Sequence, residues 1–302
     1  MSQPMRAISL VAVPGRRRQT LDMRVRVERR GFAGIYIPSR FGNMAQCTAL
    51  ALATERIAFG TAIAPIYART PEDFAQSAAY LHEISGCRFR SGIGIAHGPT
   101  YQRLGVTPGK PLSDIRAFVE KVRSYEGIGA LPPIVFAALR KKTVALAAEI
   151  SDGVIFANAS LSHMPQSLAA VPPPKHSGPN FLIGNMLPVC ISEDVGAAKA
   201  LLRHRLVHYA LLPNYRAYWK EAGYVEEMAA VEKAVAEKPP RRDPEIPDRP
   251  LARRQHLVRP GLQGARRHRG LARRRRQHAG ARAELAERQP DHGARRAIHR
   301  IH

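Results

Sequence analysis

Seven short apolar runs, each followed by residues with helical periodicity, predict an α/β fold. The architecture that fits is a (β/α)8 TIM barrel, with seven βα units readable and an eighth absent from the sequence as written. The runs are continuous and apolar, as in parallel strands buried on both faces. The connections are long enough for crossover helices. An open, doubly wound sheet would want a GxGxxG turn after the first strand, and Val13-Pro14-Gly15 is not one.

AISLVAV (7–13) reads as the first strand, followed by a helix over 20–30 with Gly31 as its stop. FAGIYIP (32–38) is the second strand, and helical residues 45–54 lead to the third, RIAFGTAIAPI (56–66). Thr70-Pro71-Glu72-Asp73 opens a helix running to Ile84: a capping hydroxyl, a proline at the first helical position and two acids at the positive end of the dipole. RFRSGIGIA (88–96) is strand four, 113–124 a helix, PPIVFAAL (132–139) strand five and 141–150 a helix. DGVIFANA (152–159) is strand six and FLIGNMLPVCI (181–191) strand seven. A helical region follows from Ser192, broken near Pro213, and a last helix covers 225–237.

The domain expected to carry function is 1–240. Residues 241–302 are different: eighteen Arg and six acids, with no Lys, Ser, Thr, Asn, Met, Cys or aromatic residue. This stretch holds +12 of the formal +23 on about a fifth of the length. Basic arms that bind nucleic acid usually mix Lys, Ser and Gly with Arg, and RNA binders add aromatics for stacking. Lys, Ser and aromatics are missing from this stretch, so a nucleic-acid partner is disfavoured. High charge with low hydrophobicity would also suit a disordered tail.

A frame slip in a GC-rich gene accounts for the composition better. Read one base later, synonymous codons from Leu251 onward can encode W-P-D-D-S-T-L-F-G-P-G-S-K-V-R-E-G-I-E-A-W-R. Further on they can encode T-P-V-L-V-P-S-S, which has the grammar of a βα unit. The slip is placed between Lys238 and Leu251.

Cys47, Cys87 and Cys190 are far apart and form no CxxC pair, which argues against a zinc site or a disulfide scaffold and fits a reducing cytoplasm. No apolar run approaches the length of a membrane span, and Arg16, Arg17 and Arg18 interrupt any leader-like segment.

Barrel active sites lie at the C-terminal ends of the strands. That rule selects Pro14, Ser39, Thr61 to Pro65, Ala96 to Gly98, Ala138 to Arg140, Asn158 and Asn185 with Met186. The set is poor in carboxylates, and the chain has no HExxH or GxSxG, which disfavours glycoside hydrolysis, metalloproteolysis and serine-triad hydrolysis. A rim of small, apolar and amide residues suits a flat organic cofactor that brings its own reactivity. Arg140, Lys141, Lys142 and Thr143 stand at a helix start, either as a phosphate site or as a solvated basic turn. His97 is a candidate donor or proton shuttle, or a structural loop residue. Asn185 either points into the mouth or satisfies backbone there. His163 reads as a rim residue. His204 and His208 share a helical face, without a third ligand to make a metal site. Tyr215, Tyr218 and Trp219 read as packing over a barrel end or at a subunit contact.

ERIAFGTAIAPIYARTPEDFAQSAAYLHEISGCRFRSGIGIAHGP (55–99) resembles the luciferase-like monooxygenase superfamily, in Glu55-Arg56-Ile57, Gly60-Thr61, Pro71, Ala75-Gln76 and Arg88-Phe89 through Gly94. LPPIVFAALRKKTVALAAEISDG (131–153) and FANASLSHM extend the likeness over nearly all of 6–238. The resemblance implies a (β/α)8 oxidoreductase that transfers hydride between coenzyme F420 and a small organic substrate, or an FMN-dependent monooxygenase of the same fold. It implies that Thr61, Ala62, Ile63 and Ala64 back the cofactor ring, through a bulge with a non-prolyl cis peptide. It brings Ser39, His97 and Gly98 to the cofactor and Arg140, Lys141 and Thr143 to its phosphate. His97 and Asn158 are the catalytic candidates, polarising carbonyls. The expected partners are a small-molecule substrate and, at most, a second copy of the chain.

Two departures stand out: Arg140-Lys141 where many relatives have Gly-Pro, and Cys87 where Gly is usual. Without an eighth unit, strands one and seven keep unpaired edges. The polypeptide is therefore expected to fold poorly and to bind cofactor weakly. The rivals of another class are a nucleic-acid-binding protein acting through the Arg tail and an inactive remnant. Resequencing the gene across codons 236–252 is expected to reveal a one-base shift that restores the barrel frame; one clean frame through the region would refute the slip.

Overall fold

The structure, a computed structural model, describes residues 6–40, 42–176 and 180–237. Strands β1 (Ile8–Ser9), β2 (Gly34–Ile37), β3 (Ala58–Thr61) and β4 (Ala64–Pro65) are followed by β5 (Phe89–Gly94), β6 (Ile134–Ala137), β7 (Gly153–Ala157) and β8 (Leu182–Met186). Helices α1 (Arg17–Arg29), α2 (Asn43–Ala53), α3 (Pro71–Ile84), α4 (Gly98–Leu104), α5 (Pro111–Arg123) and α6 (Lys141–Ile150) alternate with them. The short α7 (Met164–Leu168) and α8 (Pro173–His176) precede β8, and α9 (Val195–Ala210), α10 (Pro213–Glu221) and α11 (Val225–Glu237) follow it.

Every pairing is parallel, and the order β1-β2-β3-β5-β6-β7-β8 follows the chain without a reversal, β4 also pairing with β5. A doubly wound sheet would reverse at a switch point. The curled parallel sheet with helices at its crossovers is the (β/α) barrel form expected, over seven units. Among the described residues β1 and β8 do not pair with each other, and the Arg-rich stretch and proposed eighth unit lie outside those residues.

The seven expected strands are all present, the third split into β3 and β4. Gly60 pairs with Arg90 and Ala64 with Ile93, four residues against three, so one extra residue bulges from the line. Two strands are shorter than their apolar runs. β7 ends at Ala157 opposite Met186, so the ladder has no partner beyond, and Leu187, Val189 and Ile191 are exposed. β1 keeps two residues, paired only with β2 among the described strands. Helix α4 was not anticipated. It begins in Gly98-Pro99, with Thr100 and Tyr101 amides donating to the His97 carbonyl.

Side chains alternate between two cores. Ile35, Ile37, Phe59, Phe89, Ile134, Phe136, Val154 and Phe156 pack outward under the helices. The other face carries a small cluster of Ala62, Val135 and Ile155, flanked by Tyr36, Ile63, Ala137, Leu182 and Met186. Each buried Phe stabilises by about 2–3 kcal/mol relative to exposure.

The N-terminal strand ends are clasped. Glu28 Oε1 accepts the amides of Glu55, Arg56 and Ile57 at 2.9, 2.7 and 2.9 Å. Burial works to raise its carboxyl, and those three amides with the Arg88 charge outweigh it, holding Glu28 below its ordinary value. Arg88 donates to the carbonyls of Ser85, Ile57, Ala51 and Thr54 and to Thr54 Oγ1, at 2.7–3.1 Å, and lies 5.3 Å over the Phe59 ring. A cation thus satisfies carbonyls at the ends of α2 and α3 that have no partner within the helix. Arg24, 1 % exposed, donates to Leu10 carbonyl (2.6 Å) and Gln46 Oε1 (2.8 Å), tying the chain after β1 to α1 and α2. Cys87 adopts φ 63°, where a Cβ costs roughly 1–2 kcal/mol that Gly avoids. Thr70 caps α3 as expected, accepting from the Asp73 amide.

Lysine cannot reproduce a five-donor fork. Arg88→Lys is expected to lower stability by about 2–4 kcal/mol, because it strands buried acceptors; urea unfolding measures it.

Candidate active site

At the C-terminal strand ends, the extra residue between β3 and β4 shapes the chain. The Ala62–Ile63 peptide is cis. The Ala62 amide donates to Ile37 carbonyl at 2.7 Å, and Thr61 Oγ1 donates to Gly92 carbonyl at 2.6 Å, so Thr61 is spent on joining β3 to β5. Gly92 is required here: a Cβ would stand 1.8 Å from the Thr61 carbonyl oxygen. Asn43, at the start of α2, donates from Nδ2 to Ile63 carbonyl at 3.0 Å while its Oδ1 accepts the Met44 amide. The side chain of Ile63 lies over Gly94, whose missing Cβ would meet it at 3.1 Å. Ala62 and Ile63 therefore form a fixed apolar wall, while Ala64 packs into the outer core. Ser39, just past β2, is half-buried.

His97 follows Ala96, whose φ is 70° and whose carbonyl accepts the Tyr101 hydroxyl at 3.3 Å. Burial pushes the His97 imidazole below its ordinary value, so the ring is neutral at pH 7 and carries one N–H donor. Gly98 is exposed at the start of α4. Asn158, 8 % exposed, ends β7 in a left-handed conformation at φ 55°. Its amide donates to Met186 carbonyl at 2.9 Å, its carbonyl accepts Trp219 Nε1 at 3.2 Å, and its Oδ1 is buried without a protein partner.

Arg140 precedes α6 and pairs with Glu221 through Nε and Nη2 at 2.8 and 2.5 Å. Thr143 Oγ1 accepts the Arg140 amide at 3.1 Å and donates to the Arg140 carbonyl at 2.6 Å, so it closes the first turn of α6. Lys141 and Lys142 stand exposed at the same turn. Asn185 satisfies backbone, bonding both the amide and the carbonyl of Ala159. His163 meets Tyr218 at 5.6 Å, and His204 faces only His208 at 5.9 Å. Among the described residues no group of three His, Cys, Asp or Glu is placed to hold a metal, and no helix is long and apolar enough to cross a membrane.

Helix α10 unites the site. Tyr215 packs edge-on to His97 at 5.8 Å and lies tilted against Trp219 at 5.6 Å, and Trp219 reaches Asn158. His97, Arg140 and Asn158, from three different strand ends, are thereby gathered under one helix. Sequence reasoning passed over Asn43, Gly94 and Glu221. Gly42-Asn43 ahead of a helical run was a readable capping signal; Glu221, eighty-one residues from Arg140, offered none. Surface hollows beside Cys87 and Asp152, and beside Glu28 and Arg56, lie at the opposite strand ends, next to the clasp.

Residues 6–127 match the family of luciferase-like monooxygenases. The chain is 33% identical over 172 residues to the 5,10-methylenetetrahydromethanopterin reductase of Archaeoglobus fulgidus, covering 49% of this chain and 52% of that protein. It spans about half the length of the curated relatives it matches. In fold it is similar to the coenzyme F420 dependent tetrahydromethanopterin reductase from Methanopyrus kandleri, with TM-score 0.59 and 17% identity over 78% of this chain and 83% of that one. It is likewise similar to the FMN-bound oxygenating constituent of 3,6-diketocamphane monooxygenase from Pseudomonas putida, with TM-score 0.52 and 16% identity over 76% and 80%. Over residues 6–127 the chain is thus similar to the luciferase-like monooxygenase family, and the parallel strand order that continues beyond them shares the fold of these neighbours.

Proposed function

We propose that the barrel mouth holds F420, or FMN as the alternative, and serves hydride transfer to or from a small organic substrate. The observation that carries this reading is the bulge at Ala62–Ile63, a rigid apolar wall at the mouth with both flanks hydrogen-bonded. A flat ring fits against such a wall, and the buried, unpartnered Asn158 Oδ1 suits a ligand that brings an N–H or O–H. When bound, the ring supplies the redox chemistry. The residues of the chain then position and shield. Ala62 and Ile63 stand behind the ring and leave one face to substrate. Neutral His97 donates its N–H to a carbonyl, and Asn158 orients the opposite edge. Arg140 and Lys141 take the phosphate, aided by the positive end of α6.

The names of the relatives support F420 first, since a structurally similar reductase is described as F420 dependent. The FMN-bound monooxygenase supports the second reading, which requires O₂ and a supply of reduced flavin. The Arg-rich residues 241–302 have no part in either reading, and we take them as an out-of-frame stretch.

Fluorescence titration of the frame-restored chain with F420 and with FMN is expected to show saturable binding, tighter for F420, and weaker binding by the chain as written. Binding of neither cofactor would refute the oxidoreductase. Asn43→Ala is expected to cost about 1–2 kcal/mol, because the Ile63 carbonyl loses its buried donor. It should also raise hydrogen exchange across 61–65; unchanged exchange there would show that Asn43 does not fix the wall.

A further inference from the structure

Helix α10 touches residues at three of the strand ends that form the mouth. Four contacts hold α10 in place. Tyr215 meets His97 at 5.8 Å, and Trp219 Nε1 donates to Asn158 carbonyl at 3.2 Å. The Tyr218 hydroxyl accepts the Ser160 amide at 3.2 Å, and Arg140 grips Glu221 with two donors. The aromatic contacts are buried, Tyr215 and Tyr218 being 5% and 1% exposed. The ionic one is open to solvent, with the Arg140 and Glu221 side chains 51% and 40% exposed. α10 is thus anchored by its aromatic face, and the exposed Arg140–Glu221 ion pair ties its C-terminal end to the mouth.

The charges on α10 are sorted. Its two cations, Arg216 and Lys220, both pair with Glu232 of α11, at 3.5 and 2.6 Å. Its one acid, Glu221, turns the other way, to Arg140. Arg140 is the guanidinium that the proposed cofactor phosphate would need. An exposed carboxylate pair is weak and screened by salt, whereas a phosphate offers a guanidinium more charge and the same two-pronged geometry.

We propose that Glu221 is a gating residue: its carboxylate occupies Arg140 in the unliganded chain, and a ligand phosphate displaces it, freeing the C-terminal end of α10 from the mouth. The proposal rests on reading the mouth as a phosphate-bearing cofactor site. It makes Glu221 a selectivity element, because ligands without a strongly anionic group cannot exchange with it and meet a fastened helix. Trp219 and Tyr218 keep the helix tethered while that end moves.

The test is hydrogen exchange of residues 211–224 in the full-length chain, with and without inorganic phosphate at matched ionic strength. Phosphate is expected to speed exchange at 219–224. Glu221→Gln is expected to show the faster exchange without phosphate and to bind phosphate roughly fivefold tighter. Arg140→Gln should exchange fast and ignore phosphate. Unchanged exchange in Glu221→Gln, or slower exchange in α10 on adding phosphate, would overturn the gate. Release of α10 by phosphate without binding of F420 or FMN would keep the gate and sink the redox reading. Cofactor binding that leaves α10 exchange untouched would do the reverse.

Discussion

One guanidinium sets the spacing on which this structure depends. Arg88 reaches the ends of α2 and α3 and the start of β3 from its place beside β5. It holds β3 and β5 together at their N-terminal ends, and Glu28 secures the incoming segment 55–57 against α1. With that end locked, the extra residue between β3 and β4 cannot be absorbed by sliding. It is expelled toward the opposite end, where Thr61, Gly92 and Asn43 receive it. The clasp and the wall are two ends of one strand pair.

The clasp and the candidate site therefore lie at opposite ends of the strands. Residues that carry much of the family likeness, Glu55-Arg56-Ile57 and Arg88-Phe89, sit in the clasp; the first three contribute backbone amides to Glu28 rather than side chains to a site. The candidate site lies at the other end, where strands finish at unlike lengths and each leaves a different group: an apolar wall after β3, an imidazole after β5, a guanidinium after β6, an amide after β7. α10 connects three of these. Its aromatic face is apolar enough to seat firmly, and its single acid is placed where ligand charge would compete.

Much of the site was legible because strand ends are legible. A continuous apolar run announces a parallel strand, and barrel geometry then assigns its C-terminal residue to the mouth. Ala62-Ile63, His97, Arg140 and Asn158 were reachable that way. Roles were harder to read. Thr143 looks like a phosphate ligand in sequence, yet its hydroxyl bonds the turn that contains it. Asn185 had two readings, and the neighbouring loop chose between them by presenting Ala159. Glu221 was invisible because its meaning lies in Arg140, far away in sequence.

By itself the sequence determined the element order, the parallel sheet, the caps at Thr70 and Gly31 and the identity of the strand-end residues. These follow from local rules: period, propensity and the backbone freedom of single residues. The tertiary structure alone decided how long β1 and β8 run, which polar groups remain unpartnered, and that α10 lies across the mouth. Those outcomes depend on what stands opposite each residue in space. A strand lasts only as far as its neighbour, and a charge acts only through the partner that the fold brings within reach.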